Sequence, residues 1–293
     1  MSRMAPPATV ELQLRSAPEN VALVRAALKG FGTLLRLDPE LLEDLQMVAS
    51  EACNNVVRHA YEGGEGPLRF RVAATPSSVA VVVRDCGEWV DAGSGSDDAD
   101  SDEPAGLGLA VIDALADGTE LTHPPDGGTE VRMWFSRPIA ALEASASAVR
   151  EAPACTPQPS PSAPLSGEVI ATVSPVSLLP DVLARLARAL AANARFSVER
   201  FSDIHVVVDS LVRHAQRWAS GGRISFALGC EVRRLSFRLA PLRESASELT
   251  GIRSRENLRL RLSKLVDEVE FEPRGDSGVL SLTLTERGLA HAI

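Results

Sequence analysis

The sequence lacks the features that mark membrane-spanning and secreted proteins. No apolar run reaches the roughly 18 residues that a transmembrane helix needs. The first residues, MSRMAPPATVELQL, contain neither the basic stretch nor the apolar core of a signal peptide. We therefore expect a soluble, cytoplasmic protein.

Cysteine is scarce, and the cysteines are far apart. The chain has four, and none forms a C-x-x-C pair: Cys53, Cys86, Cys155 and Cys230. Zinc sites usually use such pairs, and disulfide frameworks are typical of small secreted domains. The sequence therefore predicts reduced thiols, with neither a zinc site nor a disulfide framework.

An excess of positive charge is also absent. The 39 acidic residues outnumber the 30 lysines and arginines, which gives a formal net charge of -9 at pH 7. Binding to nucleic acid or to an anionic membrane needs a basic face. The charge therefore argues against both partners and leaves a basic partner protein open.

A segment rich in proline, serine and alanine divides the chain. Residues 137–167 read RPIAALEASASAVREAPACTPQPSPSAPLSG, and the second part of this segment cannot build a packed core. A chain of 293 residues has room for two domains of ordinary size. We predict domains at residues 1–137 and 167–293, a linker at residues 138–166, and a short helix over Ile139–Glu151.

The first half has the pattern of an α/β domain. Apolar residues alternate along its first strand, at Val10, Leu12 and Leu14. One face of a helix is formed by Val21, Val24, Leu28 and Phe31. A second helix begins at the N-cap Asp38, with proline at its first position, and ends near His59. The other predicted elements are strands at Leu68–Ala73, Val79–Arg84 and Thr129–Phe135 and a helix at Leu107–Leu115.

The second half repeats this order. A strand, EVIATV, precedes a helix with Leu179, Val182, Leu186 and Leu190 on one face. The remaining predicted elements are helices at Ser197–Trp218 and Leu258–Val266 and strands at Ile224–Leu228, Leu235–Leu239 and Val279–Leu284. VVRHA at residues 56–60 also matches LVRHA at residues 211–215. We interpret the halves as a tandem repeat; two unrelated α/β domains of similar order are the alternative.

Two adjacent asparagines, Asn54 and Asn55, lie in the middle of the second predicted helix. Asparagine is a mediocre helix former, and departures from local rules tend to lie at functional sites. Glu51 and Asn55 are four residues apart, so they share one helix face. An amide oxygen can ligate Mg²⁺ beside a nucleotide, and a carboxylate can orient or deprotonate a hydroxyl. An exposed polar patch is the alternative.

Three further segments carry residues that suit a nucleotide. Asp85 and Gly87 follow an apolar strand, where a carboxylate can accept a hydrogen bond from an exocyclic amine. The segment Gly106–Gly108 opens a predicted helix, whose free N–H groups attract phosphate. The segment Gly127–Thr129 begins a strand. Each alone is typical of a turn, cap or hairpin, but the set in this order favours a nucleotide site.

These motifs together resemble the nucleotide-binding boxes of the Bergerat-fold ATPases, the superfamily of gyrase and the histidine kinases. The phrase SEACNNVVRHAY, and the lack of a phosphoacceptor helix pair, resemble most the bacterial anti-sigma-factor serine/threonine kinases. The resemblance covers about Val10 to Phe135. It implies an α/β fold, a two-layer α/β sandwich, here in tandem with a degenerate second copy.

The resemblance also implies a role for each motif. Glu51 would be the catalytic base, Asn55 would ligate Mg²⁺, and Asp85 would hold the adenine of ATP. The glycines of the third box would cradle the phosphates. The implied cofactor-binding residues are Asn55, Asp85, Gly87, Gly106, Leu107, Gly108 and Thr129.

The function implied by the resemblance is a serine/threonine protein kinase. It would phosphorylate an anti-anti-sigma protein and so regulate a sigma factor, with ATP and Mg²⁺ as cofactors. One alternative is a nucleotide-gated binding module of the same fold that transfers phosphate slowly or never. Another is an ATP domain that serves a separate histidine-bearing protein. The missing phosphoacceptor helices count against the ATP domain that serves a histidine-bearing protein. Glu51 favours the kinase over the binding module.

The sequence departs from the family where the superfamily has a mobile lid. Between Arg84 and Arg132 there is no lysine or arginine, and residues 94–106 read SGSDDADSDEPAG. Cations usually neutralise charge on a transferring phosphoryl group. Here Mg²⁺ or an arginine of a partner would have to supply that charge.

The second half has lost the motifs. Aligned on the shared RHA, Asp209 and Ser210 stand where the asparagines would be; a gap of one helical turn is the alternative, and neither alignment puts an asparagine at the metal position. Leu239 and Pro241 replace the adenine-binding aspartate and glycine. The glycine box falls near Glu256, Asn257 and Leu258. We therefore predict that this half binds no nucleotide and serves contact instead, as a pseudodimer within one chain that leaves homodimerisation open.

Overall fold

The computed structural model describes residues 7–87, 107–139, 142, 165–219, 221–243 and 265–286. The chain forms two compact units, one of Met1–Leu28 with Leu35–Pro153 and the other of Lys29–Leu34 with Ala154–Ile293. Across the described ranges, no helix is both long and apolar enough to cross a membrane. The limits predicted for the two domains and their linker stay predictions.

An antiparallel sheet forms one layer of the first unit. Its strands are β1 (Ala8–Arg15), β2 (Pro67–Thr75), β3 (Ser78–Asp85), β4 (Gly118–Thr122) and β5 (Glu130–Phe135), in the order β4-β5-β3-β2-β1. Side chains alternate between the two faces of a strand. One face therefore collects the core residues Val10, Leu12, Phe70, Val72, Val81, Val83, Met133 and Phe135.

The described helices in the first half of the chain are α1 (Pro18–Leu35), of which Lys29–Leu34 is assigned to the second unit, α2 (Pro39–His59) and α3 (Leu107–Leu115). The α2 helix begins as predicted, because the Asp38 carboxylate accepts a hydrogen bond from the Glu40 N–H at 2.9 Å and proline follows the cap. It packs against β3 and α3. Its buried face includes Leu41, Leu45, Val48, Ala49, Ala52 and Val56. The two-layer α/β sandwich is confirmed.

The second unit has the same order of elements in its described part. Its strands are β6 (Val169–Ser174), β7 (Ile224–Glu231), β8 (Arg234–Leu242), β9 (Glu268–Arg274) and β10 (Ser277–Thr285), in the order β6-β7-β8-β10-β9. The helices are α4 (Leu179–Asn193) and α5 (Val198–Trp218). Read from β1, the first sheet runs β1-β2-β3-β5-β4, which is the same order. A shared strand order does not establish a common origin, so the tandem duplication stays a prediction.

Strands β4 and β9 have no counterpart among the predicted elements. Both consist of exposed or half-buried residues. Strand β4 lacks the apolar alternation that marks a strand, and β9 shows it only at Val269 and Phe271, between glutamates. Close packing positions β4 instead. Gly118 lies so near β5 that an added Cβ would be 2.2 Å from the Trp134 ring. Two predicted helices, Ile139–Glu151 and Leu258–Val266, lie almost wholly outside the described residues.

A buried arginine connects the first turn of α5 to β10. Arg200 is 2 % exposed. Its Nε donates to the Thr285 carbonyl at 2.7 Å, and its Nη1 donates to the Leu265 carbonyl at 2.6 Å and to Asp203 Oδ2 at 3.0 Å. Its Nη2 donates to the Asp267 carboxylate. The guanidinium therefore fills its hydrogen-bonding positions inside the unit.

Candidate functional site

Glu51, Asn55 and Gly108 come together where α3 crosses α2. Glu51 and Asn55 are half-buried, as is Asn54, whereas Ala52 and Cys53 between them are buried in the core. A Cβ added to Gly108 would lie 3.1 Å from Glu51 Oε2 and 3.4 Å from Asn55 Oδ1. The structure thus brings the two polar side chains of α2 against the start of α3.

The glycine at position 108 leaves both side chains uncovered on the α3 side. Gly108 is the second residue of α3, and backbone N–H groups in the first turn of a helix have no partner within that helix. Such N–H groups attract anions. Leu107 begins α3, while Gly106 lies outside the described residues. The helix start therefore brings N–H groups without an intrahelical partner close to Glu51 and Asn55.

Asp85 ends β3 as a buried carboxylate. It continues the alternation of Val81 and Val83 and is 5 % exposed. Asp85 Oδ1 accepts hydrogen bonds from the Gly87 N–H at 2.9 Å and the Thr129 N–H at 3.1 Å. Among the described residues, none donates to the second carboxylate oxygen, Oδ2. One oxygen is thus held by the backbone, and the other can accept a hydrogen bond from a ligand.

Glycines let backbone segments come close around Asp85. A Cβ at Gly87 would lie 1.9 Å from the Ala60 carbonyl oxygen, at the end of α2. A Cβ at Gly128 would lie 2.2 Å from the Asp85 carbonyl oxygen, and Gly128 also has a φ of +80°. The predicted segments around Asp85 and Gly128 therefore meet, and they meet through backbone contacts that no larger residue would permit.

Tyr61, the only tyrosine of the chain, ends the phrase SEACNNVVRHAY but has no role in the predicted site. Its Oη accepts a hydrogen bond from the Cys86 N–H at 2.8 Å and donates to the Pro67 carbonyl at 2.6 Å. The pKa of the Tyr61 phenol is raised overall, because burial raises it by more than the hydrogen bond from the Cys86 N–H lowers it. The phenol is therefore neutral near neutral pH and able to donate. Its only signal in the sequence is its place directly after the RHA that ends α2.

An ion pair joins β3 to the turn before Thr129. Arg84 Nη2 donates to Asp126 Oδ1, and this hydrogen bond lowers the pKa of Asp126 and raises that of Arg84. Because the carboxyl pKa is lowered in the folded protein, the pair is intact above the ordinary pKa of aspartate and is lost as the pH falls through the lowered value. At neutral pH the pair therefore helps to hold the turn beside Asp85.

The residues of this site fit a magnesium ion that is bound together with phosphates. The described parts of the chain contain no group of three or more histidine, cysteine, aspartate or glutamate side chains that could hold a metal. Mg²⁺ usually takes few protein oxygens and keeps water and substrate phosphates as ligands. A single amide oxygen at Asn55 suits that mode and does not suit a cage built by the protein alone.

The corresponding positions of the second unit have different surroundings. Asp209 is exposed on α5, Ser210 is buried there, and Leu239 is a core residue of β8 at 1 % exposure. Glu256, Asn257 and Leu258 lie outside the described residues. A buried leucine offers no acceptor to a base amine. The absence of nucleotide binding in this unit stays a prediction.

The sandwich with this cluster at one end defines a class, the histidine-kinase-like ATPase domain. The family model of that description, "Histidine kinase-like ATPase domain", matches residues 14–135. Serine-protein kinase RsbW of Listeria monocytogenes is 32% identical over 134 residues, which cover 42% of this chain and 84% of that protein. RsbW of Halalkalibacterium halodurans is 30% identical over 141 residues, 45% of this chain and 85% of that protein.

A third relative is named for a different role. The anti-sigma F factor of Caldanaerobacter subterraneus is 27% identical over 135 residues, which cover 42% of this chain and 90% of that protein. The chain belongs to the family of anti-sigma, kinase-like ATPases that includes RsbW. The family resemblance given by the sequence motifs is confirmed, and the family implies that the chain binds ATP.

Adjacent glycines in the turn before Thr129 give a matched test of the close contact at Asp85. Gly127 and Gly128 both have positive φ, but a Cβ at Gly127 would meet nothing within 4 Å. We expect Gly127→Ala to lower the free energy of unfolding by about 1–2 kcal/mol, the cost of a left-handed residue that carries a Cβ. Gly128→Ala should cost more and should also weaken ATP binding, because its Cβ displaces the Asp85 backbone.

Urea unfolding and calorimetric titration with MgATP check both variants. Equal losses of stability in Gly127→Ala and Gly128→Ala, with unchanged ATP affinity in both, would contradict the close approach of Gly128 to Asp85.

Proposed function

We propose that this protein is an ATP-dependent serine/threonine protein kinase of the anti-sigma-factor type. It transfers phosphate to an anti-anti-sigma protein and, through that protein, regulates a sigma factor. Relatives named serine-protein kinase and anti-sigma F factor support this proposal. The observation that carries it is the meeting of Glu51, Asn55 and Gly108 at one end of the sandwich.

Each predicted site residue has a proposed role toward the nucleotide. Asp85 would accept a hydrogen bond from the adenine amine through Oδ2, with the Gly87 backbone beside the ring. The predicted segment Gly106–Gly108, of which Leu107 and Gly108 begin α3, would hold the phosphates through backbone N–H groups. The cofactor-binding set is completed by Asn55, a magnesium ligand, and by Thr129, whose N–H fixes Asp85.

Glu51 is the proposed catalytic base. Its carboxylate lies at the same crossing as Asn55, the proposed metal ligand, and the start of α3, the proposed phosphate site. It would accept the proton of a serine or threonine hydroxyl while the hydroxyl oxygen forms a bond to the γ-phosphorus and ADP leaves. Bound Mg²⁺ would supply positive charge to the phosphate oxygens.

The remaining positive charge at the phosphates would come from the partner. The chain has no lysine or arginine between Arg84 and Arg132, a span that includes α3. An arginine from outside the chain can stabilise a transferring phosphoryl group. A basic partner surface would also be attracted to a chain with a net charge of -9.

A second function has one observation in its favour. Because the segment between Arg84 and Arg132 carries no cation, the chain could bind ATP and a partner without efficient transfer. It would then be a nucleotide-gated binding module. The kinase and the module share the nucleotide site, so only measurement of phosphate transfer distinguishes them.

The decisive experiment incubates the purified chain with γ-labelled ATP, Mg²⁺ and each small anti-anti-sigma protein encoded in the same genome. We expect labelled phosphoserine or phosphothreonine on one of these proteins, and no label when Mg²⁺ is chelated. Calorimetry should give one nucleotide per chain, because the second half lacks the motifs. Tight binding of ATP without transfer to any of the proteins would favour the binding module, and a stoichiometry of two would contradict the proposed loss in the second half.

Asp85→Asn should weaken ATP binding. The amide oxygen of asparagine is expected to take the place of Oδ1, because the N–H groups of Gly87 and Thr129 require an acceptor there. The amide nitrogen then stands at the Oδ2 position, where it meets the adenine amine donor to donor. A lost charge-assisted hydrogen bond costs about 1.5–3 kcal/mol, or roughly 10- to 150-fold in affinity.

Calorimetry measures this loss, and Asp113→Asn is the control. Asp113 is an exposed residue of α3, so its replacement removes the same charge without touching the Asp85 contacts. Normal ATP affinity in Asp85→Asn would contradict the assignment of Asp85 to the base.

A further inference from the structure

The Tyr61 hydroxyl holds the backbone directly after Asp85. Its oxygen lies 2.8 Å from the Cys86 nitrogen and 2.6 Å from the Pro67 carbonyl oxygen. The ring lies over Gly66, where an added Cβ would be 2.2 Å from a ring carbon. Tyr61 therefore links the residue after β3 to the start of β2, from a position just beyond the end of α2.

The backbone on each side of Cys86 is also held. The Asp85 N–H donates to the Thr129 carbonyl at 3.0 Å. On the other side, Gly87 is packed against the Ala60 carbonyl and donates its N–H to Asp85 Oδ1. The Tyr61 bond to Cys86 is the link between these two restraints. Without it, the peptide that joins Asp85 to Cys86 loses its own restraint, and a rotation of that peptide shifts the Gly87 N–H that holds Asp85 Oδ1.

We infer that Tyr61 is a positioning residue for adenine recognition: its hydroxyl fixes the Cys86 peptide and thereby aims Asp85 Oδ2 at the exocyclic amine of the base. This inference rests on the proposed function, because it assumes that a purine nucleotide binds at Asp85. It goes beyond that function by assigning the choice of base to a residue that does not itself need to touch the nucleotide.

Because Cys86 is exposed, loss of the Tyr61 hydroxyl is expected to change the orientation of the Cys86 peptide without a large loss of folding stability. Cys86 is exposed, so water can replace the phenol as partner of its N–H when the hydroxyl is removed. A peptide N–H that has a hydrogen-bond partner in both cases, the phenol or water, loses little folding free energy. A water molecule does not hold the peptide in one orientation, however, so the direction of the Asp85 carboxylate is what the variant loses.

Tyr61→Phe tests the inference because it keeps the ring over Gly66 and removes only the hydroxyl. The probes are MgATP and MgITP, titrated by calorimetry into the full chain. Inosine carries a carbonyl oxygen where adenine carries the amine, so only ATP can donate to Asp85 at that position. We expect the affinity for ATP to fall about 3- to 10-fold, the worth of one ordinary hydrogen bond. The affinity for ITP should change less than about twofold.

Thermal unfolding and a second variant complete the design. Tyr61→Phe should unfold within a few degrees of the wild type, while Tyr61→Leu, which also removes the ring from Gly66, should lose stability as well as discrimination. An unchanged ratio of ATP to ITP affinity in folded Tyr61→Phe would overturn the inference. That ratio is unchanged whether both affinities stay the same or both fall by the same factor, and an equal fall is the result of a merely structural role.

The wild-type titration distinguishes failure of the inference from failure of the proposed function. If the wild type binds neither nucleotide, or binds ATP and ITP equally, the proposed adenine contact at Asp85 is wrong, and the inference falls with it. If the wild type prefers ATP and Tyr61→Phe keeps the full preference, the proposed site stands and Tyr61 has no part in it.

Discussion

Glu51→Gln will remove detectable phosphate transfer and leave ATP affinity close to that of the wild type. Glutamine keeps the shape of the side chain beside Gly108, but its amide cannot take a proton from an attacking hydroxyl. Loss of a general base costs about 100- to 10,000-fold in rate.

The comparison with Asn55→Ala separates chemistry from binding. Removal of the proposed magnesium ligand should lower both MgATP affinity and transfer, whereas Glu51→Gln lowers transfer alone. Calorimetry and labelled transfer are measured on the same preparations, with Glu43→Gln, an exposed position of the same helix, as the control. Transfer at the wild-type rate by Glu51→Gln would show that Glu51 is not the base.

Arg200→Met will destabilise the second unit by about 1–3 kcal/mol, the usual cost of leaving buried hydrogen-bonding groups without their partner. The guanidinium is 2 % exposed, and its loss strips partners from the Leu265 and Thr285 carbonyls and from the Asp267 carboxylate. Methionine restores much of the volume but none of the hydrogen bonds.

Peptide-resolved hydrogen exchange measures this loss in β10, separately from the first unit. Arg188→Met is the control, because the Arg188 guanidinium is exposed and donates to the Ala184 carbonyl on its own helix. That control should stay within about 0.5 kcal/mol of the wild type. A change below about 1 kcal/mol in Arg200→Met would show that the buried network contributes little net stability.

The elements that could be predicted are those that bury one apolar face. Alternation of Val10, Leu12 and Leu14 predicted β1, and the Asp38 cap with its proline predicted the start of α2. Strands β4 and β9 lie at the ends of the strand order and are largely exposed, so β4 leaves no alternating pattern and β9 leaves only the short one of Val269 and Phe271. Their place follows from pairing with β5 and β10, which is a tertiary property.

The candidate site, like the fold, could be predicted from the sequence only where its geometry is local. The four-residue spacing of Glu51 and Asn55 places them on one helix face, and that geometry is local. The approach of Gly108 to that face depends on how α3 packs on α2, which spacing along the chain does not encode. The partners of Tyr61 and Arg200 are also distant in sequence, so Arg200 resembles an ordinary surface arginine of an amphipathic helix until the fold is known.

The position of Tyr61 makes the site directly visible to spectroscopy. It is the only tyrosine in the chain, and its hydroxyl bonds to the peptide after Asp85. Incorporation of ring-labelled ¹³C-tyrosine therefore produces a single set of aromatic resonances, with no assignment required. A titration followed at that one signal would report on the base-binding end of the site, independently of the phosphates and of any partner protein.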